Sequence, residues 1–341
     1  MAMGRPVTEP RIELSADGGR IVAPDGVSLP LRHWPAEGGA PRAVLLALHG
    51  FNDYSKSWEA PAARWAAQGI ATYAYDQSGF GATATAGYWP GSDTLVADAK
   101  AAIRALRARH PGVPLYVIGE SMGGAVVTAL MTRPDPPAVD GVILSAPAVW
   151  GRAAMNPFYR FTLWLGQHTL PWLRLTGEGL KIMPSDNIEM LRALGRDPLV
   201  IKATRIDAIA GLVDLMDEGL SGIDRIPGPA LVLYGDQEQV VDPGAVREAL
   251  SRLRRAGPRQ TRLALYPKGY HMLLRDLNGP QVADDVASWV LRRGPLPSGA
   301  DRRTDSPLLR GIEPPAPAPL GETLGDDPPV PVPVPPAAGK P

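Results

Sequence analysis

A serine flanked by closely spaced glycines, in Gly119-Glu120-Ser121-Met122-Gly123-Gly124, follows the apolar run Pro114 to Ile118 and precedes the helical run Ala125 to Met131. That context reads as a nucleophile elbow. Glycines remove the Cβ atoms that would clash in a sharp strand-to-helix turn, and the serine is held in a strained conformation with Oγ projecting above the sheet edge. A serine hydroxyl is a weak nucleophile near neutral pH, so it requires an imidazole base kept in one tautomer by a carboxylate. Five histidines are available. His33 falls in a hairpin, His49 precedes the elbow, His110 ends a helix and His168 lies in an apolar insertion. His271, in Lys268-Gly269-Tyr270-His271, follows the last strand-like run, Arg262 to Tyr266, where a loop at the strand's C-terminal end can reach Ser121.

The carboxylate is expected from the loop after Ala230 to Gly235, which reads Gly235-Asp236-Gln237-Glu238-Gln239-Val240-Val241-Asp242. Glu238 is favoured, because the chain must leave the strand before turning back toward the histidine, and the apolar Val240-Val241 pair then anchors the next stretch of chain. Asp236 remains the competing acid and can instead brace the turn, while Asp242 before Pro243 suits the cap of a following helix. The tetrahedral oxyanion needs donors as well. Met122, next after the nucleophile, offers one main-chain N–H, and Phe51 in His49-Gly50-Phe51-Asn52 offers another. His49 reads as structural, its side chain bonding nearby backbone to hold that loop. This chemistry calls for no cofactor and no metal.

The elements that must position these groups are short continuous apolar runs: Val44 to Leu48, Ile70 to Tyr75, Leu115 to Gly119, Val139 to Ser145, Ala230 to Gly235 and Arg262 to Tyr266. Strands covered on both faces read this way. Intervening helical segments supply the cover, as in Thr94 to Arg109, where Leu95, Ala99, Ala102, Ile103 and Leu106 form one stripe. Ahead of them, Ile21-Val22 and Ser28 to Trp34 flank Pro24-Asp25-Gly26 as a hairpin. The expected fold class is α/β, a mostly parallel sheet with helices on both faces. Between Trp150 and Ile226 no strand is expected. There Ile206, Ile209, Val213, Met216 and Leu220 recur at helical spacing, and Trp150, Phe158, Trp164, Leu165, Leu170 and Trp172 crowd an insertion that should roof the nucleophile.

Over 341 residues, 35 Lys+Arg balance 35 Asp+Glu, which argues against a nucleic-acid partner, since a phosphate backbone demands a basic surplus. Zero cysteines exclude disulfides and thiolate metal sites and leave the redox compartment open. No run reaches the roughly 18 apolar residues of a membrane helix, and the first ten residues lack a signal-peptide core, so the chain as given reads as cytoplasmic, with export open if a signal has been removed. There are no internal repeats. Fourteen of the 38 prolines fall in residues 295–341, a composition too poor in large apolar groups to offset ordering entropy. The expected organisation is a core from residues 1–149 and 227–294, a helical cap over 150–226 and a disordered Pro-rich tail over 295–341.

Taken together, His49-Gly50 followed by an apolar residue, Tyr75-Asp76-Gln77-Ser78-Gly79-Phe80-Gly81, the GESMGG elbow, the Gly-x-x-acid step and the final GYH resemble the α/β-hydrolase superfamily, over roughly residues 20–293. Within it the chain is most similar to the monoacylglycerol lipase and lysophospholipase branch. That resemblance implies a Ser-acid-His triad on Ser121, Glu238 and His271, an oxyanion hole on Phe51 and Met122, and a helical cap over an acyl pocket. Two positions depart from the branch: it usually carries aspartate at Glu238 and commonly a basic residue at Gln77. The expected activity is serine carboxylic-ester hydrolysis of a small acyl ester or lipid, with transient contact between cap and lipid surface. The same scaffold also serves thioesterases, polyester hydrolases, aminopeptidases, whose ammonium-binding acids would be Glu178, Asp186 and Glu189, and non-catalytic binding modules.

Overall fold

The computed structural model describes residues 9–15, 18–177, 179, 181–256 and 261–312. In chain order the elements are β1 (Arg11–Ser15), β2 (Gly18–Val22), β3 (Ser28–Trp34), β4 (Ala43–Leu48), α1 (Glu59–Ala66), β5 (Ile70–Tyr75), α2 (Ser92–Arg109), β6 (Leu115–Glu120), α3 (Met122–Thr132) and β7 (Gly141–Ser145). Next come α4 (Pro157–Thr169), β8 (Arg174–Thr176), α5 (Ile188–Arg196), β9 (Ala203–Arg205), α6 (Ile206–Gly222), β10 (Ala230–Gly235), α7 (Pro243–Ala256), β11 (Thr261–Tyr266) and α8 (Gly279–Arg292). Among the described residues nine strands form one sheet in the order β1-β2-β3-β5-β4-β6-β7-β10-β11. From β5 to β11 all neighbours pair in parallel, and β1 to β3 add an antiparallel edge.

The parallel strands β4 to β7 and β10 are buried at every position because each face meets a helical layer. Side chains alternate between the two layers with the two-residue period of a strand. Val44, Leu46 and Leu48 join the cluster that holds Ala99 of α2, Val126 of α3 and Val246 of α7, whereas Ala43, Leu45 and Ala47 face Ala62 of α1 and Val286 of α8. The strand order reverses at β4, which lies between β5 and β6. Loops leaving β4 and β6 therefore diverge, and a crevice opens at their carboxyl ends.

Two expectations change. The insertion after β7 does contain strands: β8 and β9 pair antiparallel, Arg174 to Arg205 and Thr176 to Ala203. At three residues each they are too short to produce a hydrophobic alternation. The disorder expected from residue 295 onward fails over 295–312, where Leu296, Ala300, Leu308 and Leu309 are buried and short 3₁₀ turns form at Ala300–Arg302 and Pro307–Leu309. Composition averaged over the whole tail hid these few anchoring leucines. Residues 313–341 lie outside the described residues. Among the described residues no helix is long and apolar enough to cross a membrane.

Candidate active site

β6 ends at Glu120 and α3 begins at Met122, so Ser121 makes the whole turn, at φ 52° and ψ −116°. That region is unfavourable for a residue with a Cβ and persists only where the surroundings enforce it. Here they do. A Cβ on Gly119 would lie 2.3 Å from the Gly123 carbonyl oxygen, and one on Gly123 would lie 2.2 Å from the Leu48 carbonyl oxygen. Strand, helix and the neighbouring β4 thus approach closely enough to force the bend. Ser121 faces a cavity of about 400 Å³ lined also by Gly50, Phe51, Trp150, Met155, Ile209, Leu212, Val213, Met216, Val240, Val241 and His271.

His271 lies beyond the end of β11, and its Nδ1 is 2.7 Å from Glu238 Oε2. Glu238 Oε1 accepts the main-chain N–H groups of Val240 at 2.7 Å and Val241 at 3.0 Å, so both carboxylate oxygens are engaged. The acid and histidine loops touch through backbone: Gln237 N–H donates to the Gly269 carbonyl at 2.9 Å, and a Cβ on Gly235 would lie 2.1 Å from that same oxygen. Burial disfavours the charged imidazolium of His271, but the Glu238 charge and hydrogen bond outweigh it and hold the pKa above the usual histidine value. Burial likewise pushes the Glu238 carboxyl up, and the His271 ring with the two N–H donors more than reverses that, leaving it below the ordinary glutamate value. The competing acids sit elsewhere. Asp236 is bound by Arg303 and Ser306, and Asp242 accepts the N–H groups of Gly244 and Ala245 at the start of α7.

The loop after β4 is held by His49. Gln77 N–H donates to its Nε2 at 3.0 Å, so the ring's Nδ1–H donates to the Gly50 carbonyl at 2.8 Å, and burial keeps the ring neutral. Gln77 returns a second bond, Nε2 to the His49 carbonyl at 2.8 Å. Phe51 thereby sits on the cavity wall, edge-on to Phe80 and Trp89, and Gly50 passes so near the elbow that a Cβ there would lie 3.4 Å from Ser121 Cβ. Met122 is the first residue of α3, where main-chain N–H groups lack intrahelical partners. His33 stacks on Tyr73, His110 bonds the Tyr73 hydroxyl, and His168 bonds the Trp164 carbonyl, all outside this cavity.

Sequence reading missed the polar corner. Arg275 donates to Asp53 Oδ2 at 2.7 Å and to Glu120 Oε2 at 3.0 Å, and all three border the cavity. Burial opposes the guanidinium charge, but Glu120 and Asp53 more than offset it. Next to it, Asp276 accepts the Tyr270 N–H at 2.7 Å and the Ser185 hydroxyl at 2.6 Å, bracing the histidine loop from the insertion side; burial pushes its carboxyl up to about 6. A basic-acidic pair soon after a histidine was the available signal, but such pairs abound on solvated helix ends. The expected aromatic roof needs correction. Of its members Trp150 lines the cavity, whereas Phe158, Trp164, Leu165, Leu170 and Trp172 are exposed, Phe158 by 68%. The reason is packing: α4 sets its small residue Gly166 and the partly buried Leu163 inward, Gly166 against Ile206 of α6, which turns its large apolar groups outward.

Comparison with known proteins places this geometry in context. A family model described as serine aminopeptidase, S33, matches residues 39–278. A monoacylglycerol lipase of Mycolicibacterium smegmatis is 25% identical over 266 residues, 74% of this chain and 89% of that protein. The human monoglyceride lipase is 23% identical over 292 residues, covering 80% and 90% of the two chains. The crystal structure of Paleococcus ferrophilus monoacylglycerol lipase superposes with a TM-score of 0.65 at 20% identity, over 78% of this chain and 99% of that one.

Proposed function

This chain belongs to the serine aminopeptidase, S33, family of α/β-hydrolases, and on that basis we propose that it hydrolyses carboxylic esters of single-chain lipids through an acyl-enzyme on Ser121. It is a hydrolase of the lipase and esterase type. The observation that carries the finer reading is the buried 2.7 Å bond from His271 Nδ1 to Glu238, with His271 lining the same apolar cavity as a serine held at positive φ.

In this reading Ser121 Oγ attacks the ester carbonyl carbon while His271 Nε2 takes the hydroxyl proton, and Glu238 keeps the other ring nitrogen protonated and stabilises the imidazolium. The oxyanion that forms is met by the N–H groups of Phe51 and Met122. Collapse breaks the bond to the alcohol, which leaves with the proton from His271. Water then repeats the sequence on the acyl-enzyme and releases the acid. The acyl chain runs along Ile209, Leu212, Val213 and Met216, where each buried methylene contributes about 0.8 kcal/mol, roughly fourfold in affinity. Residues 150–226 serve as a cap on a core drawn from 1–149 and 227–294, and the exposed Phe158, Phe161 and Trp164 of α4 make transient contact with a lipid surface.

Aminopeptidase action fits less well. Asp186 accepts the Leu277 N–H, Glu189 in the first turn of α5 is not among the residues lining the cavity, and Glu178 lies outside the described residues. The carboxylates that do border the cavity, Asp53 and Glu120, are already paired with Arg275. The test is a fluorophosphonate label with intact-mass detection, run beside a panel of p-nitrophenyl esters, monoacylglycerols, lysophospholipids and aminoacyl amides. One label per chain, lost in Ser121→Ala together with ester turnover, is expected. Labelling that survives Ser121→Ala, or turnover confined to the amides, refutes the reading.

A further inference from the structure

The segment after α8 lies beyond the residues matched to the family model, yet it reaches the loop that carries Glu238. Arg303 Nη1 donates to Asp236 Oδ2 at 2.9 Å and to the Leu265 carbonyl at 3.2 Å, joining the acid loop after β10 to strand β11, which leads to His271. Ser306 Oγ donates to the other Asp236 oxygen at 2.5 Å. The Asp236 side chain is 5% exposed, so these two partners are what make its charge tolerable inside the protein. Leu308 and Leu309, buried in the core cluster next to α7, fix the segment that supplies both partners. Asp236 stands two residues before Glu238, and its own N–H donates to the Tyr266 carbonyl at 2.9 Å. The loop is therefore tied to β11 twice, directly by backbone and through the Arg303 side chain of this strap.

We propose that Arg303 and Ser306 are positioning residues: by holding the Asp236 carboxylate they keep the Gly235–Val241 loop where Glu238 meets His271. The proposal rests on the reading of Ser121, Glu238 and His271 as the reacting groups. Its physical basis is that a side chain which orients a catalytic group must itself be locked by its supporting contacts; at metal centres, losing the contacts that orient a ligand costs roughly 10- to 100-fold, the scale taken here. Without Arg303, Asp236 becomes a buried anion lacking its counter-charge, and the loop relieves that cost by turning the carboxylate toward water. Glu238 moves with it. Loss of the strap's bulk stabilisation is a separate effect, which lowers the melting temperature without touching the histidine.

Full-length protein carrying Arg303→Ala, Arg303→Lys, Ser306→Ala and, as a reference, Glu238→Gln separates these effects. The readouts are kcat and KM on a p-nitrophenyl ester, the acidic limb of the pH profile, the downfield proton resonance of His271 Nδ1–H, and Tm. The charged groups facing His271 are Glu238, Glu120 and Arg275, none altered by a strap substitution, so a moved limb reports a moved Glu238. The expected result for Arg303→Ala is a 10- to 100-fold fall in kcat with KM within about twofold, an acidic limb shifted to lower pH and a broadened or lost Nδ1 resonance. Arg303→Lys recovers most of kcat, and Ser306→Ala shows a smaller loss in the same direction, which carries the test if Arg303→Ala does not fold. Unchanged kcat, limb and resonance in the strap variants, whatever happens to Tm, overturn the proposal while Glu238→Gln remains impaired. Wild-type turnover by Glu238→Gln overturns the underlying reading and the proposal with it.

Discussion

Glu238→Gln changes one oxygen to an amide NH₂ at nearly constant volume, and the hydrogen bonds dictate where the NH₂ goes. Oε1 accepts two main-chain N–H groups, from Val240 and Val241, while Oε2 faces His271 Nδ1. If the glutamine keeps its carbonyl on the two N–H donors, its NH₂ faces His271 and can only donate. Nδ1 must then be unprotonated, the proton moves to Nε2, and the ring can no longer accept the Ser121 proton. If the glutamine flips, the productive tautomer returns, but two buried N–H groups face an NH₂ without an acceptor, at roughly 1–3 kcal/mol each. A cost of roughly 2–6 kcal/mol leaves the productive arrangement populated at somewhere between one part in about 30 and one in about 10⁴. The lost negative charge removes stabilisation of the imidazolium as well, and the corresponding substitution in the triad template costs about 10⁴ in kcat. We therefore expect a fall of three to four orders of magnitude in kcat, with KM within about twofold, because the acyl cavity is untouched. The assay is initial-rate kinetics on a p-nitrophenyl ester, with folding checked by Tm. A folded variant that loses less than tenfold refutes the role assigned to this carboxylate.

As the proposed base, His271 must be neutral to accept a proton, and its pKa is raised above the usual value of about 6.5, so kcat/KM should fall as pH drops through a midpoint above that value. A profile flat from pH 5 to 8 contradicts this base. Leu212→Ala should weaken the preference for longer acyl esters by severalfold, since the side chain lines the cavity, whereas Trp164→Ala should leave kcat/KM on dispersed monomeric esters within about twofold. The opposite pattern would mean that α4, and not α6, holds the acyl chain. Truncation after residue 294 should lower Tm by several degrees, because it strips Leu296, Leu308 and Leu309 from buried positions, each contributing roughly 1.5–3 kcal/mol of burial. Unchanged melting would show that the segment does not dock in solution.

Much of the architecture is written locally in the chain. Continuous apolar runs such as Ile70–Tyr75 and Ala230–Gly235 specify buried parallel strands because both faces must be apolar, and the glycines around Ser121 specify a bend that other residues cannot make. These are nearest-neighbour constraints, and they can be read without knowing what packs where. The choice between Asp236 and Glu238 is of another kind. Both lie within a few residues of the end of the same strand, and spacing alone permits either. In the folded chain Arg303 and Ser306, some 70 residues away in sequence, bind Asp236, while Glu238 lies against His271. The same holds for Arg275 between Asp53 and Glu120, and for α4, whose aromatic stripe looks like core until Gly166 is found against Ile206 and the stripe turns outward. A residue's type and its neighbours determine which backbone it prefers. Which charge finds its partner, and which apolar face is covered, depends on elements brought together from distant parts of the chain, and only the tertiary structure decides that.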